Sequence, residues 1–214
     1  MKYQYILFDL DGTLTDPKMG ITKSVAYALK KMKDWTVDIN DLTKFIGPPL
    51  NESFTDFYGF TLTESNRAIE FFREYFKAYG IYENEIYPGI KDLLKSLKDS
   101  GKVLAVATSK PTVFAEKIIE YFELEEYFEC VVGSNLDGTR TKKKDVIETV
   151  LDILEIDSKE AIMVGDREHD ILGAKAMCMS SIGVVYGYSI ENELSDAGAE
   201  YIVDSVFELK NLLL

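Results

Sequence analysis

Tyr5-Ile6-Leu7-Phe8-Asp9-Leu10-Asp11-Gly12-Thr13-Leu14-Thr15-Asp16 runs four apolar or aromatic residues straight into one carboxylate and, two positions on, into a second. A short, continuously apolar run of this kind fits a strand buried on both faces, as in a parallel sheet covered by helices. Side chains alternate faces along a strand, so Asp9 and Asp11 leave the sheet on the same side if extension continues. Gly12 lets the chain turn sharply just beyond. Asp-Gly alone is an ordinary turn former. Two carboxylates at the exit of a buried strand are costly, however, unless something positive sits between them. A divalent cation, phosphate chemistry, or both would supply it.

The 214 residues allow one medium domain or two small ones, enough for a real core. Hydrophobic residues make up 46% and charged residues 29%, the proportions of a globular protein. The net charge of −13 argues against a nucleic-acid polymer or an anionic membrane as partner, since no basic field recruits phosphate backbones. An acidic chain that handles phosphate esters must therefore concentrate positive charge locally. Cys130 and Cys178 lie in apolar contexts with neither metal nor redox spacing and are expected as free, buried thiols. No apolar run approaches the roughly 18 residues of a membrane span. The N-terminal apolar stretch is short and ends in acids, unlike a signal peptide. A cytoplasmic location is expected.

After the opening motif the pattern becomes helical. Ile21, Val25, Ala28, Leu29 and Met32 form one stripe. A short helix over Asp41–Ile46 is stopped by Gly47-Pro48-Pro49, a second runs from Leu50 to about Tyr58, and Thr63 is expected to cap a third from Glu64 to Tyr79. From Tyr87 onward strands and helices alternate. Strands are expected at Val103–Ala107, Cys130–Val132, Ala161–Val164, Ser181–Val185 and Tyr201–Val203. The intervening helices are Ile90–Ser100, Pro111–Tyr121, Lys143–Leu154, Asp170–Met177, Ile190–Ala197 and Val206–Leu213. Such alternation implies right-handed crossovers and a parallel sheet covered on both faces. The fold class is thus α/β: a Rossmann-like core of residues 1–15 and 87–214, with an all-helical domain, 16–86, inserted after the first strand.

In an open parallel sheet, ligands gather outside the carboxyl ends of the strands. Strand one ends in Asp9, strand two in Thr108-Ser109-Lys110, and strand four in Gly165-Asp166-Arg167-Glu168-His169-Asp170. Thr108 and Ser109 offer hydroxyls and the first amides of the next helix, an anion site or simply a cap. Asp166 and Asp170, four apart at a helix mouth, suit the positive dipole end. With Asp9 and Asp11 beside them they also form an oxygen-lined site fit for Mg²⁺. Arg140-Thr141-Lys142-Lys143-Lys144 is the dense basic cluster of the chain. Basic residues are unhelpful at a helix N-terminus, so an anion nearby is inferred. A lysine reaching the pocket would neutralise a phosphoryl group and a carboxylate nucleophile together.

These four pieces, beginning with Phe8-Asp9-Leu10-Asp11-Gly12-Thr13-Leu14, resemble the four motifs of the haloacid dehalogenase superfamily in order and spacing, over the whole chain. The resemblance implies an aspartyl-phosphate chemistry. Asp9 would be the nucleophile, and Asp11 would protonate the leaving alcohol and then deprotonate water. Thr108 and one lysine would hold the phosphoryl oxygens. Asp166, the Asp9 carboxylate and the Asp11 carbonyl would bind Mg²⁺, with Asp170 orienting the lysine or ligand waters from behind. Gly133 to Arg140 and the following lysines resemble a subgroup near phosphoglycolate phosphatase, often described as 5′-nucleotidases. In that subgroup the motif lysine falls three residues after the Arg, which selects Lys143, with Lys142 as runner-up. His169, the single histidine, has no step in this scheme.

A carboxylate at position 11 favours phosphate-ester hydrolysis over dehalogenation, because the family's dehalogenases have no alkoxide to protonate. The helical insert resembles a cap that closes over small substrates, and Gly47-Pro48-Pro49 resembles the cap loop that dips into the site. Lys110 and Arg140 are further candidates for the substrate's non-reacting end, beside Ser109, Gly47 and Pro48. The implied partner is a small phosphorylated metabolite, handled by a monomer or homodimer. A sugar phosphomutase with the same motifs, and a non-catalytic phospho-ligand-binding regulator, are the alternatives.

Overall fold

The structure is a computed structural model that describes residues 3–214. Its first strand, β1 (Tyr5–Phe8), buries Ile6, Leu7 and Phe8 completely. The chain continues through a two-residue strand, β2 (Thr15–Asp16), into helix α1 (Lys18–Lys33), a 3-10 turn at Ile39–Phe45, α2 (Leu50–Tyr58), α3 (Leu62–Tyr75) and a π turn at Phe76–Gly80. A second two-residue strand, β3 (Glu85–Ile86), precedes α4 (Ile90–Asp99). Then follow β4 (Val103–Pro111), α5 (Thr112–Tyr121), β5 (Phe128–Ser134), α6 (Lys143–Leu154), β6 (Ala161–Gly165), α7 (Glu168–Ala176), β7 (Ser180–Val184), α8 (Glu193–Ala197), β8 (Tyr201–Val203) and α9 (Val206–Leu213).

Six strands form one sheet in the order β5-β4-β1-β6-β7-β8, and every ladder in it is parallel. The order reverses at β1, which pairs with β4 on one side and β6 on the other: the Rossmann-like arrangement expected of the alternating pattern. Phe8 lies opposite both Val106 and Val164. The carboxyl ends of β1 and β6 therefore lie level with Ala107-Thr108 of β4, at the switch point where ligands of such sheets bind. One face of the sheet is filled by Leu7, Ala105, Ala107, Val132 and Met163 packed on Val146, Ile147 and Val150 of α6. That packing sets the first turn of α6 beside the strand ends.

Contacts divide the chain into two compact units, one running up to Asp16 and resuming at Ile86–Leu214, the other Pro17–Glu85. In the second, Ile21, Val25, Ala28 and Leu29 of α1 are buried and Met32 is half-buried. The unit is built on aromatic contacts: Phe45 meets Phe54 edge-on at 5.0 Å, and Phe54 stacks on Phe60 at 5.8 Å. No helix among the described residues is long and apolar enough to cross a membrane.

Several elements differ from expectation. Thr61, not Thr63, caps α3: its hydroxyl accepts from the Glu64 amide at 3.3 Å, while its own amide donates to Glu64 Oε2 at 3.0 Å. The helix there gives way to the π turn at Phe76, and α8 starts at Glu193, three residues later than the apolar pattern suggests. Strand β4 runs on to Pro111, which pairs with Ser134 across a register irregularity. Thr108 and Ser109 thus belong to the strand and do not supply first amides of α5. Cys130 is half-buried and Cys178 exposed, so neither thiol is fully buried as the apolar contexts suggest.

Candidate active site

Asp9 follows β1 directly, and its amide continues the ladder by donating to the Val164 carbonyl at 2.9 Å. The chain then folds tightly: the amides of Leu14 and Thr15 both donate to the Leu10 carbonyl, at 2.9 and 3.0 Å. Gly12 sits inside this turn at φ 83°, in the left-handed region that favours glycine. A Cβ there would also overlap the carboxylate of Asp166. The turn after β1 and the acid after β6 are therefore packed backbone against carboxylate, which a larger residue forbids.

Of the three consecutive lysines, Lys142 and Lys144 are exposed and Lys143 is buried. As the first residue of α6, Lys143 reaches into the space between β1, β4 and α7. Its Nζ donates to the Ala107 carbonyl at 2.9 Å and lies 2.9 Å from Asp9 Oδ1 and 2.7 Å from Asp170 Oδ1. Burial pulls its pKa down, but Asp170 and Asp9 more than offset this and hold it above the ordinary lysine value. Asp170, whose Oδ2 also accepts from the Arg167 amide at 3.1 Å, is pushed up to about 6 by burial against the opposing pull of Lys143.

Asp11 has its own cation. Lys110 Nζ lies 2.6 Å from Asp11 Oδ2, with both side chains at most one-tenth exposed. Burial outweighs that ammonium and raises the Asp11 pKa. The pairing arises because β4 continues past Ala107, so Lys110 extends from a strand end. The buried hydroxyl of Thr108 accepts from the Lys110 amide at 3.3 Å, and the Ser109 carbonyl accepts from Ser134 Oγ at 2.8 Å.

Arg140 is placed differently. It has a left-handed backbone, φ 52°, and its Nε donates to the Gly133 carbonyl at 2.7 Å while Nη2 donates to Thr112 Oγ1 at 3.3 Å. The guanidinium thus braces the end of β5 against α5. Gly47 and Pro48 belong to the helical unit, just before α2. The structure brings Asp9, Asp166, Asp170 and Lys143 together, and Asp11 with Lys110.

Carboxylate oxygens of Asp9, Asp166 and Asp170 lie within 4.8 Å of one another and could hold a metal ion. Asp166 is held on both sides: Thr13 Oγ1 donates to Oδ1 at 3.4 Å and the Tyr188 amide to Oδ2 at 2.7 Å. Burial, then the neighbouring Asp170 and Asp9, raise its pKa well above the ordinary aspartate value, against the pull of the Tyr188 amide and Arg167. Arg167 itself is turned to Glu193, with Nε 2.8 Å from Oε1. Four buried carboxylates (Asp9, Asp11, Asp166, Asp170) thus face two ammonium groups, Lys110 and Lys143. A divalent cation would offset that deficit, and Asp11 Oδ1 is buried without a hydrogen-bond donor. Asp170 already spends its oxygens on Lys143 and the Arg167 amide, so Asp9 and Asp166 are the better donors. The sequence reading missed Tyr186-Gly187-Tyr188. The signal was there, since this stretch, with Gly187 at its centre, is also the exit of a parallel strand.

Residues 6–184 match the family model described as haloacid dehalogenase-like hydrolase. The chain belongs to that family. This haloacid dehalogenase-like hydrolase is 45% identical over 194 residues to the 5'-nucleotidase of Pseudomonas aeruginosa, covering 91% of this chain and 88% of that protein. It is 38% identical over 186 residues to tyrosine-protein kinase PtkA of Mycobacterium tuberculosis, covering 86% of this chain and 63% of that one. The crystal structure of a protein described as a predicted phosphatase from Clostridium acetobutylicum superposes with a TM-score of 0.97 at 52% identity, covering 100% of this chain and 99% of the other.

Proposed function

We propose that the protein is a phosphatase that hydrolyses a small phosphate monoester with Mg²⁺ through an aspartyl-phosphate on Asp9, as a phosphoglycolate phosphatase-like or 5′-nucleotidase-like enzyme. The observation that carries this reading is the placement of Asp9: a strand-end carboxylate beside a buried lysine ammonium and a second buried acid, Asp166. The family and the relatives named phosphatase and nucleotidase support it.

In the first step an Asp9 carboxylate oxygen attacks phosphorus. The bond from phosphorus to the ester oxygen breaks, and Asp11 gives that oxygen its proton. Burial moves the Asp11 pKa upward, the direction a proton donor needs. In the second step Asp11 takes a proton from water as the water oxygen attacks the aspartyl-phosphate. The bond from phosphorus to Asp9 breaks, inorganic phosphate leaves, and the carboxylate is restored. Lys143 would balance charge on the attacked phosphoryl oxygens, with Thr108 as a hydrogen-bond donor. The Asp9 and Asp166 carboxylates and the Asp11 carbonyl would hold Mg²⁺, oriented from behind by Asp170. When bound, the ion neutralises the phosphoryl group and the attacking carboxylate so that two anions can meet.

The unit Pro17–Glu85 is proposed as the cap, with Gly47, Pro48 and, from the core, Ser109, Lys110 and Arg140 as candidates for contact with the rest of the substrate. Arg140 is the weakest of these, given its bonds to Gly133 and Thr112. The test is hydrolysis of p-nitrophenyl phosphate with and without Mg²⁺, beside Asp9→Asn, followed by a panel of nucleoside 5′-monophosphates, phosphoglycolate and sugar phosphates ranked by kcat/KM. Mg²⁺-dependent turnover that Asp9→Asn abolishes is expected. Turnover without a divalent ion, or surviving in Asp9→Asn, would refute the mechanism.

A further inference from the structure

Tyr186-Gly187-Tyr188 follows β7, and the reaction above assigns it no step. Its three residues are nevertheless tied to the acidic site at several points. The Tyr188 amide donates to Asp166 Oδ2 at 2.7 Å. The Tyr188 hydroxyl donates to Asp16 Oδ1, on β2. The Tyr186 hydroxyl donates to the Thr13 carbonyl at 3.0 Å, and its ring packs edge-on against Tyr87 at 5.1 Å. Thr13 in turn gives its own hydroxyl to the other oxygen of Asp166. Between the tyrosines, Gly187 passes so close to the Gly12 carbonyl and the Asp166 side chain that a Cβ would overlap both.

Asp166 needs such support. Its carboxylate oxygen lies within 4.8 Å of those of Asp9 and Asp170, and like charges at that distance push it to rotate away. A backbone amide aimed at one oxygen opposes the rotation and leaves the other lone pairs in a fixed direction. Losing a group that orients a ligating carboxylate in this way typically costs about 10–100-fold in metal affinity.

We propose that the Tyr186-Gly187-Tyr188 loop is the positioning element of the metal carboxylate: the Tyr188 amide fixes Asp166, Gly187 permits the approach, and the two phenol hydroxyls hold the amide in place. The inference rests on the Mg²⁺ reading of the preceding section. The loop meets the proposed ligands at the Asp166 carboxylate and, through Gly187 against the Gly12 carbonyl, at the turn that carries Asp11, so it governs metal affinity.

The experiment titrates Mg²⁺ into the full chain by calorimetry for the parent, Gly187→Ala and the double variant Tyr186→Phe/Tyr188→Phe. Melting in EDTA and p-nitrophenyl phosphate kinetics at several Mg²⁺ concentrations are recorded alongside. Gly187→Ala is expected to weaken Mg²⁺ binding by ~10–100-fold, and the double variant by about tenfold at the lower end of that range. Raising Mg²⁺ should restore kcat in both, at a parental KM. A loop that only stabilises the fold would lower melting in EDTA and leave Mg²⁺ affinity at the parental value, which overturns the inference. If Gly187→Ala does not fold, the tyrosine pair decides by the same criterion. A parent that binds no Mg²⁺ overturns the metal reading and the inference with it; a parent that binds, with variants of equal affinity, overturns the inference alone.

Discussion

Lys143 answers to three oxygens at once, on Ala107, Asp9 and Asp170. Removing its ammonium leaves two buried carboxylates facing each other without it. Lys143→Met should therefore lower kcat by roughly 10²–10³, the loss typical of one pre-set donor to developing charge. It should also cost ~3 kcal/mol or more in denaturant unfolding without metal. Lys143→Arg should rescue little, because a planar fork cannot take the place of a compact ammonium. The identity of this lysine was half legible: the resemblance, in which the motif lysine falls three residues after the Arg, selected it over Lys142, and of the two it is Lys143 that is buried. The contact of Lys110 with Asp11 was not legible, because it depends on β4 running past the point where its apolar residues end. Cys130 and Cys178 give a separate test. Burial pushes the Cys130 thiol up to about 11, whereas Cys178 is exposed. In the native protein one thiol should react quickly with an aromatic disulfide reagent at neutral pH, and Cys178→Ser should abolish that phase. Two fast thiols would contradict it.

The start of α3 shows what local chemistry can and cannot say about an element. Thr61-Leu62-Thr63-Glu64 offers two threonines, and the apolar pattern alone does not choose between them. Reciprocal bonding does, because only Thr61 stands three residues before Glu64. Thr61→Ala should cost about 1 kcal/mol in thermal unfolding followed by circular dichroism. Glu64 is held down to about 2 by Lys33, whose Nζ lies 2.8 Å away, and by the Thr61 amide and hydroxyl. A carboxylate with a depressed folded pKa stabilises above its unfolded value and loses that contribution as pH falls through the folded one. Glu64→Gln should thus lower the melting temperature at pH 7, and the gap from the parent should shrink between about 4.5 and about 2. A gap that stays constant over that range would exclude the ion pair as its source. The Val103–Pro111 strand shows the opposite limit. Its core was readable from five apolar residues, but its extension comes from pairing with β5, a tertiary effect.

At the scale of the molecule, alternating strands and helices announced a parallel sheet, yet not which strands are neighbours. The candidate site arises because β1 lies between β4 and β6, which sets Asp9, Thr108 and Asp166 at the carboxyl end of the sheet. That assembly concentrates four carboxylates against two ammonium groups in a chain of net charge −13. Mg²⁺ should consequently stabilise the folded protein, by about 2.7 kcal/mol at a hundredfold excess over Kd. Asp166→Asn removes a repelled charge and should melt no lower than the parent in EDTA, but gain little from Mg²⁺. A variant that still gains fully would take Asp166 out of the metal site. The central claim is a covalent bond between Asp9 and phosphorus, and borohydride reduction of an acid-quenched turnover mixture tests it most directly. Reduction of an aspartyl-phosphate leaves homoserine, so peptide sequencing should find homoserine at position 9 only when substrate and Mg²⁺ were both present. Unmodified Asp9 in an enzyme that is turning over, or homoserine at another aspartate, would contradict the account.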